Sequence, residues 1–379
     1  MSRKKLLFVI TEDWYYWSHR RPLARAAKEA GFDVILATRV DRHRSLIESE
    51  GVTVIPLSLR RSGRNPFREI FAVLELLRLY LRERPALVHH VAHKPVLYGS
   101  LAARCARVPA VVNALGGLGY AFIAEGWLAR LRRLGLGWAY RFALAGRNSR
   151  LILQNQDDAS ALIRLGTIRP DAVILIRGSG VDLAAFTPSP EPEGIPLVLM
   201  PSRLLWDKGV SEFIGAAGLL RRSGVRARFV LAGELDSDNP AGVPAAAVER
   251  WRQEGEVEFW GRREDMPAVF AQSNVVCLPS YREGFPKALL EGAASGRAIV
   301  ASDVPGCREI VRHGTNGLLV PARDQVALAD ALRRLIEDPA RRKTMGLRSR
   351  ELAVAEFSDL DAAQQTLGVY RALLEDSTR

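Results

Sequence analysis

Short apolar segments alternate with amphipathic segments along both halves of the sequence, and this alternation constrains the fold most strongly. The strand candidates of the first half are residues 5–11, 32–38, 52–57, 86–90, 110–114 and 150–154. Those of the second half are residues 196–201, 228–232, 257–260, 275–279 and 298–302. Strands separated by helices are typical of a parallel sheet covered by helices. The sequence therefore predicts two doubly wound α/β domains, with ligands bound in the cleft that the domains face.

A glycine- and proline-rich stretch separates the two halves. Residues 177–182 read RGSGVD, and a proline-rich segment follows at 187–196. Such clustering between periodic regions indicates a linker, and 379 residues suit two domains. We predict an N-terminal domain at 1–180, a C-terminal domain at 181–357, and a final helix at 358–379 that packs back toward the N-terminal domain.

Charge is distributed unequally between the halves. The chain has 54 basic and 42 acidic residues, a net charge of +12, and residues 1–180 alone carry 29 basic and 14 acidic residues. A basic half suggests nucleic acid, an anionic membrane surface or a phosphorylated ligand as its partner. Nucleic acid is disfavoured because no helix-turn-helix, finger or RNA-binding signature is present.

The cysteines and the apolar segments point to a reducing compartment. Cys105, Cys277 and Cys307 lie far apart and form no CxxC motif, so neither a disulfide framework nor a zinc site is predicted. The apolar run near the start spans only residues 6–10, which is too short for a signal-peptide core. We expect a cytoplasmic protein without a membrane-spanning helix.

The segment PSYREGFPKALLE, residues 279–291, follows an apolar strand and opens a predicted helix. Pro286 suits the first helical turn, and the unpaired N–H groups of that turn form a positive end that attracts a diphosphate. Glu283 lies just before this helix and Glu291 lies inside it, where a carboxylate can accept two hydrogen bonds from a ribose diol. The two acids alone fit surface positions equally well.

A second segment, PSRLLWDKG at residues 201–209, places Arg203 and Lys208 around a tight turn after a strand. An arginine fork and a lysine point charge at the end of a strand suit a diphosphate. Solvated surface cations are the simpler alternative. The presence of both segments in one α/β domain favours a shared anionic ligand.

In order along the chain, these motifs resemble the retaining nucleotide-sugar glycosyltransferases of family 4, which have a GT-B fold of two Rossmann-like domains. The resemblance rests on Ser202-Arg203, Lys208-Gly209, Glu234, the E-x7-E pair Glu283 and Glu291, Asp303-Val-Pro-Gly306, Glu309 and Asn316-Gly317. It implies that Glu283 holds the donor sugar, that Glu291 holds the ribose, and that Arg203 and Lys208 neutralise the diphosphate. The other implied donor-binding residues are Glu234, Arg262, Gly284, Phe285, Pro286, Lys287 and Ala288. A UDP-sugar is the implied donor, and no cofactor or metal is expected.

The first half resembles a narrower branch, the enzymes that extend sugars on undecaprenyl diphosphate. The matching segments are SHRRPL at 18–23, KPVLYGS at 94–100 and GLGY at 117–120. They imply a polyprenyl-diphosphate-linked saccharide as acceptor, in glycan or capsule assembly. The candidate acceptor or cleft residues are His19, His93, Lys94, Gly117 and Tyr120. Leu115 stands where some members have a histidine, so a base is not expected there.

The remaining histidines cluster at a strand end. His89, His90 and His93 could form a weak H-H-x-x-H metal motif, but no acids accompany them. We expect His89 in the core and His90 or His93 against a ligand. His19 is expected on the acceptor or diphosphate side, or else as a residue at the start of a helix.

The stretch from Trp127 to Arg147 interleaves aromatic residues with arginines. A basic, aromatic helix can lie in a membrane interface, although an ordinary amphipathic helix packed against the sheet would have the same pattern. Residues 67–84 could extend the same surface. We therefore expect peripheral binding to an anionic membrane, at its inner face.

The mechanism expected from these residues is retaining transfer of a hexose or an N-acetylhexosamine. No Ser–His–Asp set, Cys–His pair or opposed carboxylate pair suits double displacement. The leaving diphosphate would instead take the acceptor proton, while Arg203, Lys208 and the helix end at 285–288 stabilise its charge. A non-hydrolysing sugar-nucleotide epimerase remains an alternative with the same architecture. A dinucleotide-dependent oxidoreductase is disfavoured because residues 11–19 lack G-x-G-x-x-G.

Overall fold

The computed structural model describes residues 3–60, 65–118, 127–146, 148–236 and 239–376, and for 127–134 it describes only the main chain. The chain divides into two units. The first unit comprises Met1–Ser179 and Asp359–Arg379, and the second comprises Gly180–Ser358.

Strands of the first unit form one parallel sheet in the order β3-β2-β1-β4-β5-β6-β7. They are β1 (Lys5–Glu12), β2 (Asp33–Arg39), β3 (Thr53–Pro56), β4 (Leu87–Val91), β5 (Ala110–Ala114), β6 (Ser149–Leu153) and β7 (Val173–Leu175). The helices are α1 (Asp13–His19), α2 (Arg21–Glu29), α3 (Arg44–Ser49), α4 (Pro66–Glu83), α5 (Ser100–Cys105), α6 (Trp127–Ala143), α7 (Gln156–Arg164) and, from the end of the chain, α15 (Asp359–Asp376). The strand order reverses between β1 and β4, where sheets of this type bind ligands beyond the carboxyl ends of the strands.

The second unit has a parallel sheet in the order β10-β9-β8-β11-β12-β13. Its strands are β8 (Leu197–Pro201), β9 (Arg228–Ala232), β10 (Glu258–Phe259), β11 (Val275–Leu278), β12 (Ala298–Ser302) and β13 (Gly317–Val320). Its helices are α8 (Val210–Arg222), α9 (Ala245–Glu254), α10 (Met266–Ala271), α11 (Lys287–Ala294), α12 (Cys307–Ile310), α13 (Gln325–Glu337) and α14 (Pro339–Glu356). The reversal between β8 and β11 brings the PSRLLWDKG and PSYREGFPKALLE segments to one edge of this sheet.

Helix α15 closes the first unit, although it follows the second in sequence. It packs against α2, and Tyr370 is fully buried with its ring edge-on to that of Phe32 at a centroid distance of 6.2 Å. The Tyr370 hydroxyl also contacts Nδ1 of His89 on β4. The final helix is therefore part of the core of the first unit.

The segment after β1 forms the helix α1, although its composition does not favour one. Residues 13–19 are mostly aromatic and have modest helix propensity, so tertiary contacts fix α1. Asp13 is buried, and its Oδ2 accepts hydrogen bonds from the backbone N–H groups of Asp41 at 2.8 Å and His43 at 3.0 Å. The Tyr16 ring is fully buried in the core.

The segment after β4 is not one regular α-helix. The chain forms a π-helical turn at Pro95–Gly99 before α5 begins. A Cβ built on Gly99 would lie 2.5 Å from the ring of His90. A side chain at position 99 would therefore collide with the buried His90 ring.

Two further properties concern membrane-spanning helices and cysteines. In the part of the chain that the structure describes, no helix combines the length and the apolar character needed to cross a bilayer. The three cysteines are free thiols, with Cys277 and Cys307 buried and Cys105 exposed.

Candidate functional site

Loops at the carboxyl edge of the second sheet are held together by backbone contact. Gly209 has a φ of +74°, and a Cβ at this position would overlap the carbonyl oxygen of Pro279. Gly306 has a φ of +80°, and a Cβ there would overlap the carbonyl oxygen of Gly284. Glycine alone satisfies both the dihedral angle and the close approach. The loops after β8, β11 and β12 therefore have a fixed relative position.

Lys208 and Glu283 meet at this edge. Lys208 Nζ lies 2.5 Å from Glu283 Oε1, and the two side chains are 22% and 10% exposed. The fully buried Ser280 donates a hydrogen bond from Oγ to the same oxygen at 2.6 Å. Among the described residues no hydrogen bond reaches the other oxygen, Oε2. One oxygen of Glu283 is thus fixed by the protein, and the other is available to a ligand.

Arg203 and Arg262 each contact an acid in the same unit. Arg203 Nη1 pairs with Asp236 Oδ2, and Arg262 Nη1 lies 3.2 Å from Glu234 Oε1. Both arginines are more than 30% exposed. Ion pairs at such exposure contribute little stability, so an anionic ligand can replace the acid at small cost.

Helix α11 begins at Lys287, and its N-cap Pro286 makes no side-chain hydrogen bond to the first turn. The N–H groups of a first helical turn suit a phosphate group. The Phe285 ring is buried and packs edge-on against Phe357 at 5.7 Å. Gly284 lies in the turn before the helix, and Ala288 lies in its first turn. Phe285 therefore anchors the loop with its side chain, and only its backbone is suited to a ligand.

Glu291 lies one turn into α11, with its side chain 13% exposed. Burial raises the pKa of Glu291, and the nearby Lys287 opposes this shift. Lys287 Nζ is 3.6 Å from Glu291 Oε1. The geometry suits a carboxylate that accepts hydrogen bonds from a ligand hydroxyl.

The loop after β11 has further supports that the sequence analysis missed. Tyr281 Oη donates to Glu212 Oε1 at 2.7 Å, and the Arg323 guanidinium lies 4.7 Å from the centre of the Tyr281 ring. The backbone N–H of Tyr281 donates to the carbonyl of Asp207 at 2.8 Å. These residues are distant in sequence, so no local pattern indicates their contact.

Asn316, one of the residues that carry the family resemblance, has a structural role. It is fully buried, its Oδ1 accepts from the N–H of Arg312 at 2.7 Å, and its Nδ2 donates to the carbonyl of Ile310 at 3.0 Å. Asn316 therefore shapes the turn into β13.

In the first unit, three of the proposed acceptor residues contact other side chains. Nδ1 of His19 lies 2.6 Å from Ser18 Oγ. Lys94 Nζ lies 2.7 Å from Glu69 Oε1, and Nδ1 of His93 contacts the Tyr140 hydroxyl. Burial lowers the pKa of His93, which favours its neutral form.

The other two proposed acceptor residues are Gly117 and Tyr120. Gly117 has a φ of +135°, in the range that favours glycine. Tyr120 lies outside the described residues.

The sequence left His90 or His93 as a ligand contact, and the structure buries His90. His90 is fully buried, with Nδ1 2.8 Å from Asn113 Oδ1 and Nε2 2.9 Å from the Tyr80 hydroxyl. Burial lowers the pKa of His90 to about 4. His89 is also fully buried, as expected. His93 alone of this cluster remains a ligand candidate.

A metal site was not expected, and the described ranges contain no group of three or more His, Cys, Asp or Glu residues placed to hold a metal ion.

Two family models match successive parts of the chain. The glycosyl transferase 4-like model matches residues 5–155, and the glycosyl transferases group 1 model matches residues 195–338. The first match lies in the first unit. The second match contains Lys208, Glu283 and Glu291.

Two curated proteins are similar over most of the chain. The N,N'-diacetylbacillosaminyl-diphospho-undecaprenol alpha-1,3-N-acetylgalactosaminyltransferase of Campylobacter jejuni is 28% identical over 94% of this chain and 96% of the relative. The UDP-Gal:alpha-D-GlcNAc-diphosphoundecaprenol alpha-1,3-galactosyltransferase of Escherichia coli is 26% identical over 72% of this chain and 71% of the relative.

A solved structure supports the fold. Anabaena Alr3699/HepE in complex with UDP and glucose superimposes with a TM-score of 0.78 at 20% identity, over 97% of this chain and 99% of the other. The GT-B fold predicted from the sequence is thereby confirmed. The chain belongs to the glycosyltransferases that join a glycosyl transferase 4-like domain to a glycosyl transferases group 1 domain, and its enzyme class is that of the hexosyltransferases.

Proposed function

We propose that this enzyme transfers a hexose or an N-acetylhexosamine from a UDP-sugar to a polyprenyl-diphosphate-linked saccharide, with retention of the anomeric configuration. The names of the Campylobacter and Escherichia relatives both specify undecaprenyl-diphosphate-linked acceptors. The Anabaena structure with UDP and glucose supports UDP as the nucleotide. These glycosyltransferase relatives favour transfer over the epimerase alternative.

The observation that carries the proposal is the contact of Lys208 and Ser280 with one oxygen of Glu283. A carboxylate fixed through Oε1 can receive a sugar hydroxyl at Oε2 without reorganising, which is the preorganisation that catalysis requires. Lys208 brings a cation to the same place, where the diphosphate of the donor would lie. Glu291 and the first turn of α11 provide the ribose and phosphate contacts.

The proposed step occurs on one face of the donor sugar. The acceptor hydroxyl oxygen bonds to C1 as the bond from C1 to the diphosphate oxygen breaks, and that diphosphate oxygen takes the hydroxyl proton. Negative charge grows on the diphosphate, and Lys208, Arg203 and the N–H groups at the start of α11 stabilise it. Glu283 orients the sugar and stabilises positive charge at C1. In this proposal the protein cations do the work of a metal, and the UDP-sugar is a substrate rather than a cofactor.

A membrane-facing role is proposed for the first unit because one face of α4 exposes apolar side chains. Their spacing of i, i+3, i+4 and i+7 places them on one side of the helix. They are Phe67 (81% exposed), Ile70 (60%), Phe71 (52%) and Leu74 (42%). An exposed contiguous apolar face of this kind marks an interaction surface.

Charge around α4 favours an anionic bilayer as the partner of that face. Glu69 pairs with Lys94 at 2.7 Å, and Glu83 pairs with Lys5 at 2.9 Å. Arg68 has no acidic partner among the described residues. Glu69 and Glu83 are thus neutralised by lysines, and Glu75 accepts hydrogen bonds from Ser58. The basic excess of the first unit remains, which suits anionic lipid. We propose peripheral association at the cytoplasmic face, close to the lipid-linked acceptor.

Helix α6 was expected to supply this membrane surface. Trp138 and Phe142 on it are 69% and 62% exposed, so both aromatics can contribute. The expectation also rested on Arg130, Arg132 and Arg133, whose side chains lie outside those that the structure describes.

A donor screen tests the proposal. The enzyme is incubated with UDP-, GDP- and ADP-linked sugars, with and without a polyprenyl-diphosphate-linked saccharide, and released nucleotide is measured. We expect release of UDP that the acceptor accelerates and that Glu283→Gln abolishes, whereas Glu264→Gln, a change at an exposed acid of the same unit, retains activity. Conversion of a UDP-sugar to its epimer without acceptor would favour the epimerase instead.

A further inference from the structure

Three elements of the first unit bring polar groups together at the carboxyl edge of its sheet. Tyr15 lies on α1 directly after β1, Gly116 follows β5, and Gln154 follows β6. A Cβ built on Gly116 would lie 3.4 Å from the Tyr15 hydroxyl and 3.9 Å from both Nε2 and Oε1 of Gln154. The hydroxyl and the amide therefore converge on one point beside a residue without a side chain.

The polar atoms at this point have no hydrogen-bond partner within the described part of the chain. Gln154 is only 9% exposed, and neither its amide nor the Tyr15 hydroxyl makes a hydrogen bond there. An amide whose donors and acceptor make no hydrogen bond within the described residues is suited to a ligand that supplies both.

The chemistry of these groups selects the ligand. A phenol hydroxyl and a carboxamide are neutral, and each can donate and accept hydrogen bonds. They match the hydroxyl and acetamido groups of a sugar ring better than they match a phosphate, which favours cations or a cluster of N–H donors.

Aromatic rings supply the apolar contact that a sugar also needs. The Tyr15 ring stacks on His19 with centroids 4.2 Å apart, and Trp14 lies edge-on to Tyr15 at 5.8 Å. Both Tyr15 and Trp14 are half-buried. They can therefore present aromatic surface to the C–H face of a ring.

We propose that Tyr15, Gln154 and the bare Gly116 backbone form a saccharide subsite that binds a sugar ring of the acceptor. This inference rests on the proposed function, in which the first unit holds the lipid-linked saccharide. It adds the residues that recognise the sugar part of that acceptor, separately from its diphosphate.

Two probes separate the sugar from the diphosphate. Calorimetry measures the affinity of the wild-type enzyme for farnesyl-diphosphate-linked N-acetylglucosamine and for farnesyl diphosphate. We expect the sugar-bearing probe to bind more tightly. Gln154→Leu and Tyr15→Phe should each weaken its binding by about tenfold, and both should leave the affinity for farnesyl diphosphate unchanged.

Two more variants make the test independent of lost hydrogen bonds. Gly116→Val fills the space beside the two polar groups and should give the same selective loss. Gln156→Leu changes a nearby exposed glutamine, whose Nε2 donates to Ser160 Oγ, and should bind both probes as the wild type does. Circular dichroism and melting temperature identify any variant that fails to fold. The variants that fold then show whether these residues bind the sugar.

Several outcomes would overturn the subsite. Equal affinity of the wild type for the two probes would show that no sugar is recognised. Unchanged binding by Gln154→Leu, Tyr15→Phe and Gly116→Val would exclude these residues. A raised KM for the UDP-sugar with unchanged acceptor binding would assign the groups to the donor. The proposed function fails separately, if the wild type transfers no sugar from any UDP-sugar.

Discussion

Replacing Lys208 by alanine should slow the enzyme strongly while leaving it folded. The 2.5 Å contact with Glu283 Oε1 is lost, and Ser280 remains as the hydrogen-bond donor to that oxygen. Leaving a carboxylate that is 10% exposed with fewer partners costs about 1–3 kcal/mol of unfolding free energy. That cost corresponds to a fall in melting temperature of a few degrees, at about 2–4 °C per kcal/mol for a domain of this size.

The effect on catalysis should be larger than the effect on stability. By analogy with the loss of one preorganised donor to a developing oxyanion, removal of the ammonium group should cost about 2.7–4 kcal/mol in the transition state, or about 100- to 1000-fold in kcat/KM. The assay measures UDP release in the presence of acceptor, together with the melting temperature.

Lys343→Ala is the matched control, because Lys343 is exposed on α14 of the same unit. It should leave both quantities unchanged. Activity of Lys208→Ala within about threefold of wild type, at a similar melting temperature, would refute the role of Lys208.

Three other predictions concern a nucleotide contact, acid stability and the membrane. Burial raises the pKa of Glu291 above its ordinary value of 4.5, so the affinity of the wild type for UDP, measured by calorimetry, should fall as the pH is lowered through that raised pKa. Glu291→Gln should bind UDP weakly at every pH. A Glu291→Gln variant that binds UDP as tightly as the wild type would contradict the ribose contact. Burial lowers the pKa of His90 from 6.5 to about 4, so the folded protein should lose roughly 3 kcal/mol of unfolding free energy as the pH falls from 6.5 toward 4. Urea unfolding at several pH values measures this loss. The same pH dependence in His90→Gln would show that His90 does not cause it. Phe67→Ser and Ile70→Ser should each weaken flotation with anionic liposomes at low salt. Leu347→Ser changes an exposed leucine of the second unit and should float as the wild type does. Equal flotation of all three variants would show that the α4 face does not bind the membrane.

Much of the fold could be predicted because buried strands appear in the sequence as short local runs of apolar residues. The limits of β5 agree with the sequence prediction at both ends. The helix α14 was missed because its surface is mainly polar. Its position depends on Arg342, which pairs with Glu191 at 2.8 Å in a buried contact, and a contact between residues so far apart leaves no local periodicity.

The candidate site was predictable where its residues lie in one loop and less so elsewhere. The positions of Glu283 and Lys208 follow from strand ends at a topological switch point. The support from Ser280 was not predicted, although the serine lies in the same segment, because hydroxyl direction depends on side-chain packing. The burial of His90 was not predicted either, since a histidine at a strand end looks the same whether its ring faces the core or a ligand.

The configuration of the product tests the central claim most directly. A UDP-sugar with an α-linked diphosphate is incubated with the enzyme and a polyprenyl-diphosphate-linked saccharide, and the new glycosidic linkage is identified by NMR from its anomeric proton coupling. The proposal predicts one new α-linkage for each UDP released. A β-linkage would contradict the same-face mechanism, and the absence of any transferred sugar, with every UDP-sugar tried, would contradict the proposed function itself.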